Sequence, residues 1–233
     1  MQFNPPLIAG RLIKRYKRFL ADIQLDSGKV ITAHCPNSGS MKTCDTPGWK
    51  VMLSCHDNPK RKYIHTWEMV HNGLCWIGIN TGIPNQIAEE AIRSKLIPEL
   101  QNYTEIKREV IYGKNSRIDL LLNDDTARCY VEVKNVTLVE DDGNYYFPDA
   151  VTERGRKHLR ELSDMISQGH RAVMFYVVQR NDGKEFKPAK HIDPAYAKSL
   201  KQAHSDGVEI IVYEAEVNPE GIVIKNRIAW RLD

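Results

Sequence analysis

The stretch SRIDLLLNDDTARCYVEVK at 116–134 predicts a β-hairpin, because two apolar runs flank the strong turn signal NDDT. Side chains alternate between the two faces of a strand, so Glu132 and Lys134 project from the same face. A hairpin with this turn also brings Asp119 opposite about residues 131–133. The sequence therefore predicts that two carboxylates and a lysine converge at one spot.

These are the groups that metal-assisted hydrolysis of a phosphodiester requires. Mg²⁺ and Mn²⁺ are hard cations that are held by one or two carboxylates, with water and phosphate oxygens completing an octahedron. Asp119 and Glu132 are therefore the candidate metal ligands and catalytic residues. The ammonium group of Lys134 would orient the attacking water or stabilise the developing negative charge. The alternative is a plain surface ion pair between Glu132 and Lys134.

Helical and strand patterns alternate throughout the segment 83–233. Helices are expected at 86–96, 151–168 and 194–204. The expected strands lie at 105–112, 117–122, 129–137, 171–179, 208–215, 221–224 and 228–232. This mixture of strands and long helices indicates an α/β domain built on a mixed sheet.

The segment 1–82 has a different character, that of short strands separated by turn signals. The expected strands lie at 7–13, 19–25, 29–34, 50–54 and 74–79. About five short strands at this spacing indicate a small all-β barrel such as an OB-fold, with a β-sandwich as the alternative. The sequence thus predicts two domains, 1–82 and 83–233.

The composition excludes several classes of protein. Of the 233 residues, 42% are hydrophobic and 27% are charged, which is typical of a globular chain rather than a disordered or fibrous one. No apolar stretch approaches the roughly 18 residues of a membrane helix, and the first residues lack the pattern of a signal peptide. Five irregularly spaced cysteines without a CxxC pair indicate reduced thiols in the cytoplasm, and no zinc site is expected.

Positive charge is concentrated in the segment 1–82, which carries 11 Lys and Arg against 5 Asp and Glu, whereas the remainder carries 22 against 25. Such segregation predicts an anionic partner for this segment. Aromatic rings lie among the cations and offer faces for base stacking, so we expect DNA binding that tolerates any sequence and weakens with salt, with RNA left open. The candidate DNA-binding residues here are Arg11, Lys14, Arg15, Tyr16, Lys17, Arg18, Lys60, Arg61 and Lys62.

The expected helix at 151–168 adds a second basic feature. Asp149 or Thr152 would cap its start. Cations near a helix N-terminus oppose the helix dipole, so they are not there to stabilise the helix. An approaching phosphate would explain them, and a solvated charged face is the alternative. Arg154 and Lys157 are the candidate DNA contacts.

Four blocks of sequence resemble one known family. They read HCPNSGSM at 34–41, SRIDLLL at 116–122, YVEVKN at 130–135 and FPDAVTERGRKHLREL at 147–162. Over nearly its whole length the chain resembles the bacterial sugar fermentation stimulation protein A family. The resemblance implies a non-specific DNA-binding protein, suggested to regulate maltose metabolism. It also implies an N-terminal OB-like domain joined to a domain of the PD-(D/E)xK nuclease superfamily.

The resemblance carries site residues over by position. The core motif of the superfamily falls on the same aspartate, glutamate and lysine of the hairpin, although Ile118 stands where the superfamily label has a proline. The superfamily also places a glutamate on its first helix. Of the two candidates, Glu89 and Glu90, the second matches the pattern better, and Glu90 joins the candidate catalytic residues.

Two functions follow from these features. In the first, the protein binds or regulates DNA and the carboxylate site is a relic or a structural metal site. In the second, it is a Mg²⁺- or Mn²⁺-dependent nuclease. A metal-dependent enzyme acting on nucleotides or small phosphates is a third reading, which would not need the basic segment 1–82.

Overall fold

A computed structural model describes residues 1–113, 116–124 and 127–233. The N-terminal strands are β1 (Ile8–Tyr16), β2 (Leu20–Leu25), β3 (Val30–His34), β4 (Lys50–Cys55), β5 (His65–His71) and β6 (Trp76–Gly78). They pair in the order β3-β2-β1-β4-β5-β6, and a parallel contact between His34 and Thr66 closes β3 onto β5. This closed five-strand order is that of an OB barrel, which confirms the predicted fold of this segment.

Alternation along the strands builds the barrel core. Leu12, Ala21, Ile23 and Leu53 are buried, while residues beside them in sequence are more exposed. The turn between β1 and β2 contains Lys17 and Arg18 in left-handed conformations, with φ of 50° and 63°. Positive φ at both central residues suits the tight turn of a β-hairpin.

β5 is the strand that the sequence pattern failed to predict. Its sequence HTWEMVH alternates between polar and apolar residues only over 66–69 and has a glutamate at the centre, yet the strand is enclosed and five consecutive residues, 66–70, are buried. The central Glu68 is satisfied internally. Its Oε1 accepts a hydrogen bond from Ser54 Oγ at 2.5 Å and its Oε2 accepts one from Asn80 Nδ2 at 2.7 Å.

The C-terminal part is built on a mixed sheet, as predicted. Its larger elements are α1 (Pro84–Arg93), β7 (Glu105–Tyr112), β8 (Ser116–Asn123), β9 (Arg128–Val136), α2 (Glu153–Ser167), β12 (Arg171–Val178), α3 (Pro194–Ser205), β14 (Glu209–Asn218) and β15 (Gly221–Arg227). The strand order is β15-β14-β12-β9-β8-β7, with β9, β12 and β14 parallel and the outer pairs antiparallel. A small sheet combines β10 (Leu138–Val139), β11 (Tyr145–Phe147) and β13 (Phe186–Pro188). Residues 125 and 126, the second half of the predicted turn at 123–126, lie outside the described residues.

Helices cover both faces of the large sheet. α1 contributes Ile87 and Ala91 to the core on one face, and α2 contributes Leu159 and Leu162 to the core on the other. The predicted cap of α2 is Thr152, whose Oγ1 accepts a hydrogen bond from the N–H of Gly155 at 3.0 Å.

The end of the chain differs from expectation. The predicted pair of strands at 221–224 and 228–232 is replaced by one strand, β15, which runs on to Arg227 and pairs with β14. The residues after it turn to the small sheet, where Phe186 N donates to Ala229 O at 2.9 Å and Arg231 N donates to Phe186 O at 3.1 Å. The backbone groups of Ala229 and Arg231 are therefore paired with Phe186 and are not available to pair with β15.

Buried polar contacts join the barrel to the C-terminal domain. Arg180, 3% exposed, pairs with Asp182 at 2.6 Å and donates to Thr43 Oγ1 of the barrel at 3.1 Å. Asp182 accepts a hydrogen bond from Asn72 of the barrel at 2.7 Å. The two domains therefore meet at a specific, hydrogen-bonded interface.

All five cysteines fall within the described residues, and each is a free thiol. No helix in the described part of the chain has the length and apolar character needed to cross a membrane.

Candidate active site

The hairpin of β8 and β9 brings the two predicted carboxylates and the lysine together. Oδ2 of Asp119 accepts a hydrogen bond from the backbone N–H of Val133 at 2.7 Å, which fixes the aspartate beside β9 between the other two residues. Lys134 Nζ lies 2.5 Å from Glu132 Oε1. The convergence expected from alternation and from the turn is thus present.

The strands are irregular at Asp119. The pairing of β8 with β9 runs from the turn as far as Leu120 opposite Val131. Beyond that pair, the side chain of Asp119 accepts the hydrogen bond from the N–H of Val133. On the other side of β8, the paired positions skip Asp119 and Glu109, and Glu109 has a φ of 53°. A non-glycine residue in that conformation is strained, and such strain clusters at functional sites.

Glu132 is almost completely buried, with 1% exposure. Burial opposes its ionisation, but the charge of Lys134 and the hydrogen bond from His158 outweigh burial and hold the pKa of Glu132 below its usual value. The His158 Nδ1 and Lys134 Nζ atoms both contact Oε1. The other oxygen, Oε2, finds no hydrogen-bond partner among the residues the structure describes.

Asp119 shows the opposite shift. Burial and the negative charge of Glu132 raise its pKa, although Lys134, the Val133 N–H and Asn85 favour the ionised form. Two carboxylates that repel each other, one with an unpaired buried oxygen, suit a divalent cation, whose charge would offset the repulsion.

The protein alone offers only part of a coordination shell. Within residues 1–113, 116–124 and 127–233, no group of three or more His, Cys, Asp or Glu side chains is arranged to hold a metal ion. Two carboxylates with water and substrate oxygens are, however, the usual way in which Mg²⁺ is held.

Two residues of the site were missed by sequence reasoning. Asn85, in the first turn of α1, donates to Asp119 Oδ1 at 2.8 Å. His158, 4% exposed, orients Glu132 from α2 and lies near Arg154 Nε, 3.4 Å from its own Nε2. One sequence signal could have found His158. It lies four residues before the core residue Leu162, which places both on the same face of the helix.

Glu90 is placed elsewhere. Its Oε2 pairs with the N-terminal ammonium group at 2.6 Å, and its Oε1 accepts a hydrogen bond from Gln86 at 2.9 Å. The neighbouring Glu89 pairs with Arg93 and Arg108. The α1 residue that contacts Asp119 is therefore Asn85, which lies in the first turn of the helix, whereas both glutamates lie further along it and have other partners.

The site opens into a cleft of about 440 Å³ between the two domains. Lys134 and Asn85 line it from the C-terminal domain, and the segment 37–39 lines it from the barrel. Asp149 bridges the two sides: its Oδ2 accepts hydrogen bonds from Ser40 Oγ and from the Met41 N–H, both at 3.3 Å. Of the two residues predicted to cap α2, Asp149 thus serves the domain interface.

Family models match both domains of this architecture. One, described as the SfsA N-terminal OB domain, matches residues 13–79, and another, described as the sugar fermentation stimulation protein RE domain, matches residues 82–221. The chain belongs to the sugar fermentation stimulation protein family. This confirms the family indicated by the four sequence blocks.

Members of the sugar fermentation stimulation protein family match the chain from end to end. The homolog from Geotalea uraniireducens (strain Rf4) is 57% identical over 232 residues, covering 100% of both chains. The homolog from Shewanella frigidimarina (strain NCIMB 400) is 56% identical over 227 residues, covering 96% of this chain and 97% of the relative. The solved structure of Pyrococcus furiosus SfsA, described as a complex with Ca²⁺, matches with a TM-score of 0.89 and 25% identity over 99% of this chain and 98% of that one.

In this member of the family, the first basic cluster surrounds the turn between β1 and β2. Lys17 and Arg18 form the turn itself, and Arg18 donates to Ser38 O at 3.0 Å at the edge of the cleft. Lys14 pairs with Asp22 at 3.7 Å and lies over the ring of Tyr16, 5.4 Å from its centroid. Tyr16 is half-buried and its hydroxyl donates to Asp22 at 3.0 Å.

Arg15 has a different environment from its neighbours. Its guanidinium group donates to four backbone carbonyls, and its side chain is only 10% exposed. The acceptors are Arg18 O, Asn37 O, Gly39 O and Ser40 O. Arg15 therefore holds the segment 37–40 against the barrel, which leaves little of the side chain for a phosphate. Arg11, by contrast, is exposed and makes one such contact, to Gly48 O at 3.0 Å.

The second basic cluster, Lys60 to Lys62, lies in the loop between β4 and β5. Lys62 Nζ lies 5.6 Å from the ring centroid of Tyr63.

The two cations predicted on α2 lie in different places. Arg154 lines the interdomain cleft, whereas Lys157 lies 3.7 Å from Glu161 and lines a groove between α2 and α3.

Proposed function

We propose that this protein binds nucleic acid without sequence specificity and hydrolyses phosphodiester bonds with a divalent metal ion. The observation that carries the proposal is the convergence of Asp119, Glu132 and Lys134 beside an interdomain cleft, which Lys134 itself lines. Two carboxylates and an ammonium group beside an open cleft supply what metal-assisted phosphodiester hydrolysis needs.

Asp119 and Glu132 would hold the cation, which is Mg²⁺ or Mn²⁺ in this proposal. When bound, it polarises a phosphate oxygen and lowers the pKa of a coordinated water. The fit rests on the unpaired Oε2 of Glu132 and on the burial and the nearby charge of Glu132, which together raise the pKa of Asp119. The Ca²⁺ complex of Pyrococcus furiosus SfsA supports a site for hard divalent cations, since Ca²⁺ and Mg²⁺ both prefer oxygen ligands.

The remaining residues position these groups. Lys134 balances the charge of Glu132 and stabilises negative charge that develops on the phosphate. His158 and Asn85 fix the carboxylates through hydrogen bonds, as outer residues commonly do around metal ligands. Each functional carboxylate thus has a defined orientation before substrate binds.

The OB barrel supplies the nucleic-acid surface in this proposal. OB folds bind oligonucleotides on the face of strands 2 and 3 and on the loops that join strands 1 to 2 and 4 to 5. Lys17 and Arg18 lie in the first of these loops, and Lys60, Arg61 and Lys62 lie in the second. Backbone contacts by such cations do not distinguish sequences, which supports non-specific binding.

The name shared by the relatives favours a second candidate function. "Sugar fermentation stimulation" would fit a DNA-binding regulator in the cytoplasm whose carboxylate site is structural. The ion pair between Lys134 and the buried Glu132 is compatible with such a structural role. In both candidates, we divide the chain into domains 1–82 and 83–233, with the OB surface in the first and the carboxylate site in the second.

The proposal is tested by incubating the full chain with plasmid and with labelled single-stranded DNA in Mg²⁺, Mn²⁺ or EDTA. Binding is measured in the same reactions. Asp119→Asn and Lys134→Met should lose cleavage and keep binding, while Lys107→Met, at an exposed lysine of β7, should keep both. Binding without cleavage under every metal would reject hydrolysis of these substrates and favour the regulator.

A further inference from the structure

Lys134 reaches solvent at the interdomain cleft, and little of the site is exposed. Glu132 is 1% exposed and the Lys134 side chain is 16% exposed, and the cleft above them has a volume of about 440 Å³. That volume is within the range of about 300–1,000 Å³ that is typical of pockets for small ligands.

The walls of the cleft are fastened to each other. Asp149 joins them through Ser40 and Met41, and a side chain at Gly39 would place its Cβ 2.3 Å from Asp149 Oδ2. Behind the cleft, the Gly78 N–H donates to Gln179 O at 2.9 Å. Arg180 donates to Thr43 Oγ1 of the barrel, and the Thr43 hydroxyl donates to Thr137 O of the C-terminal domain. Moving the domains apart to admit a duplex would strip these buried polar groups of their partners, which is costly.

The lining of the cleft suits one nucleotide of a single strand. Arg18 and Arg154 stand on opposite walls and supply positive charge for phosphates. The ring of Tyr146 lines the same space and can stack on a base, and Asn37 and Asn135 add polar groups.

The cleft also continues onto the barrel. Arg18 belongs both to its lining and to the turn between β1 and β2. Phe19, next in sequence, is 51% exposed and offers an aromatic face to a neighbouring base. A strand leaving the cleft past Arg18 would therefore meet the surface of the OB barrel.

We infer that the substrate of this site is single-stranded nucleic acid, DNA in the first instance, which enters the interdomain cleft one strand at a time, and that duplex is excluded by the fastened walls. This inference rests on the proposed function, because it names the substrate of the same site.

The test uses a labelled 20-base-pair duplex with a 15-nucleotide single-stranded overhang, incubated with the full chain and Mn²⁺, and cleavage positions are mapped on both strands. Affinities for the single strand, for a blunt hairpin of the same sequence and for the matching RNA strand are measured by anisotropy. Ala150→Trp fills the cleft from an exposed position on its rim. Ala195→Trp, at an exposed position of α3, is the matched control, and thermal melting checks that both variants fold.

Cuts confined to the overhang support the inference, as does a loss of at least tenfold in single-strand affinity for Ala150→Trp with Ala195→Trp unchanged. RNA bound as tightly as DNA would mean that the cleft accepts either sugar, which also supports it. Cuts within the base-paired region at a comparable rate, or an Ala150→Trp variant with unchanged single-strand affinity, would overturn it. Single-strand binding in the cleft without cleavage would reject hydrolysis while upholding this inference, and absence of all nucleic-acid binding would reject both.

Discussion

Replacing Lys134 with methionine removes the ammonium group beside Glu132 and keeps most of the side-chain volume. The two charges lie 2.5 Å apart and Glu132 is 1% exposed. At an effective dielectric constant of about 20, their direct attraction is about 7 kcal/mol, before the cost of removing both groups from water.

The net loss of stability is smaller than that attraction. Removing one partner of a buried ion pair typically costs about 3–5 kcal/mol, because the other charge is left without compensation. His158 still contacts Oε1 of Glu132, so we expect the lower end, about 3 kcal/mol at pH 7.

The loss should depend on pH. Lys134 and His158 outweigh burial and hold the pKa of Glu132 below its usual value in the folded protein. A carboxyl group of this kind contributes stability above its unfolded pKa, about 4.3, and this contribution is lost as the pH falls through the folded pKa. Lys134→Met raises the folded pKa of Glu132, so the deficit is full above that raised pKa, shrinks as the pH falls through it, and disappears below the pKa of Glu132 in the folded wild-type protein.

Urea unfolding followed by tryptophan fluorescence, in EDTA, measures these free energies. Glu132→Gln combined with Lys134→Met removes both charges and should recover most of the loss. A cost below about 1 kcal/mol for Lys134→Met at pH 7, or a double variant no more stable than the single one, would refute the coupling of this pair.

Three further changes test other parts of the account. Mn²⁺ at 100 times its Kd should stabilise the protein by about 2.7 kcal/mol in thermal melts, and Asp119→Asn should abolish this stabilisation. Burial and Glu132 raise the pKa of Asp119. As the pH falls, the stabilisation by Mn²⁺ should therefore disappear at a higher pH than it would with an ordinary aspartate. Thr152→Ala removes the oxygen that caps Gly155 N–H and should cost about 1 kcal/mol in urea unfolding. Alanine replacement of the three cations in the β4–β5 loop should reduce the salt slope of single-strand binding by about 2, as measured by anisotropy. The replaced residues are Lys60, Arg61 and Lys62, and the matched control variant replaces Lys190, Lys198 and Lys201. Equal slopes for the two triple variants would contradict a role for the loop.

The hairpin that carries the site was predictable because strand alternation and a strong turn determine it locally. Once the turn is placed, the two-residue period puts Glu132 and Lys134 on one face and brings Asp119 opposite them. The irregularity of the ladder at Asp119 does not follow from that period. The mixed sheet was predictable for a similar reason, since long helices alternate with apolar strands. These features need no knowledge of distant contacts.

The features that were missed depend on contacts between distant segments. β5 contains polar residues, Thr66 and Glu68, that the closed barrel buries together with their apolar neighbours. Asn85 and His158 reach the carboxylates from helices that are remote in sequence. Arg15 belongs to a basic run, yet the carbonyls of a later loop occupy its guanidinium group. No local pattern distinguishes such a residue from an exposed one.

Anomalous diffraction from crystals of the protein grown with Mn²⁺ would show whether the ion occupies the proposed metal site. We expect a peak within coordination distance of Asp119 and Glu132, which is lost in crystals of Asp119→Asn. Saturating Mn²⁺ that gives no peak at these carboxylates, or a peak only at another site, would contradict this expectation.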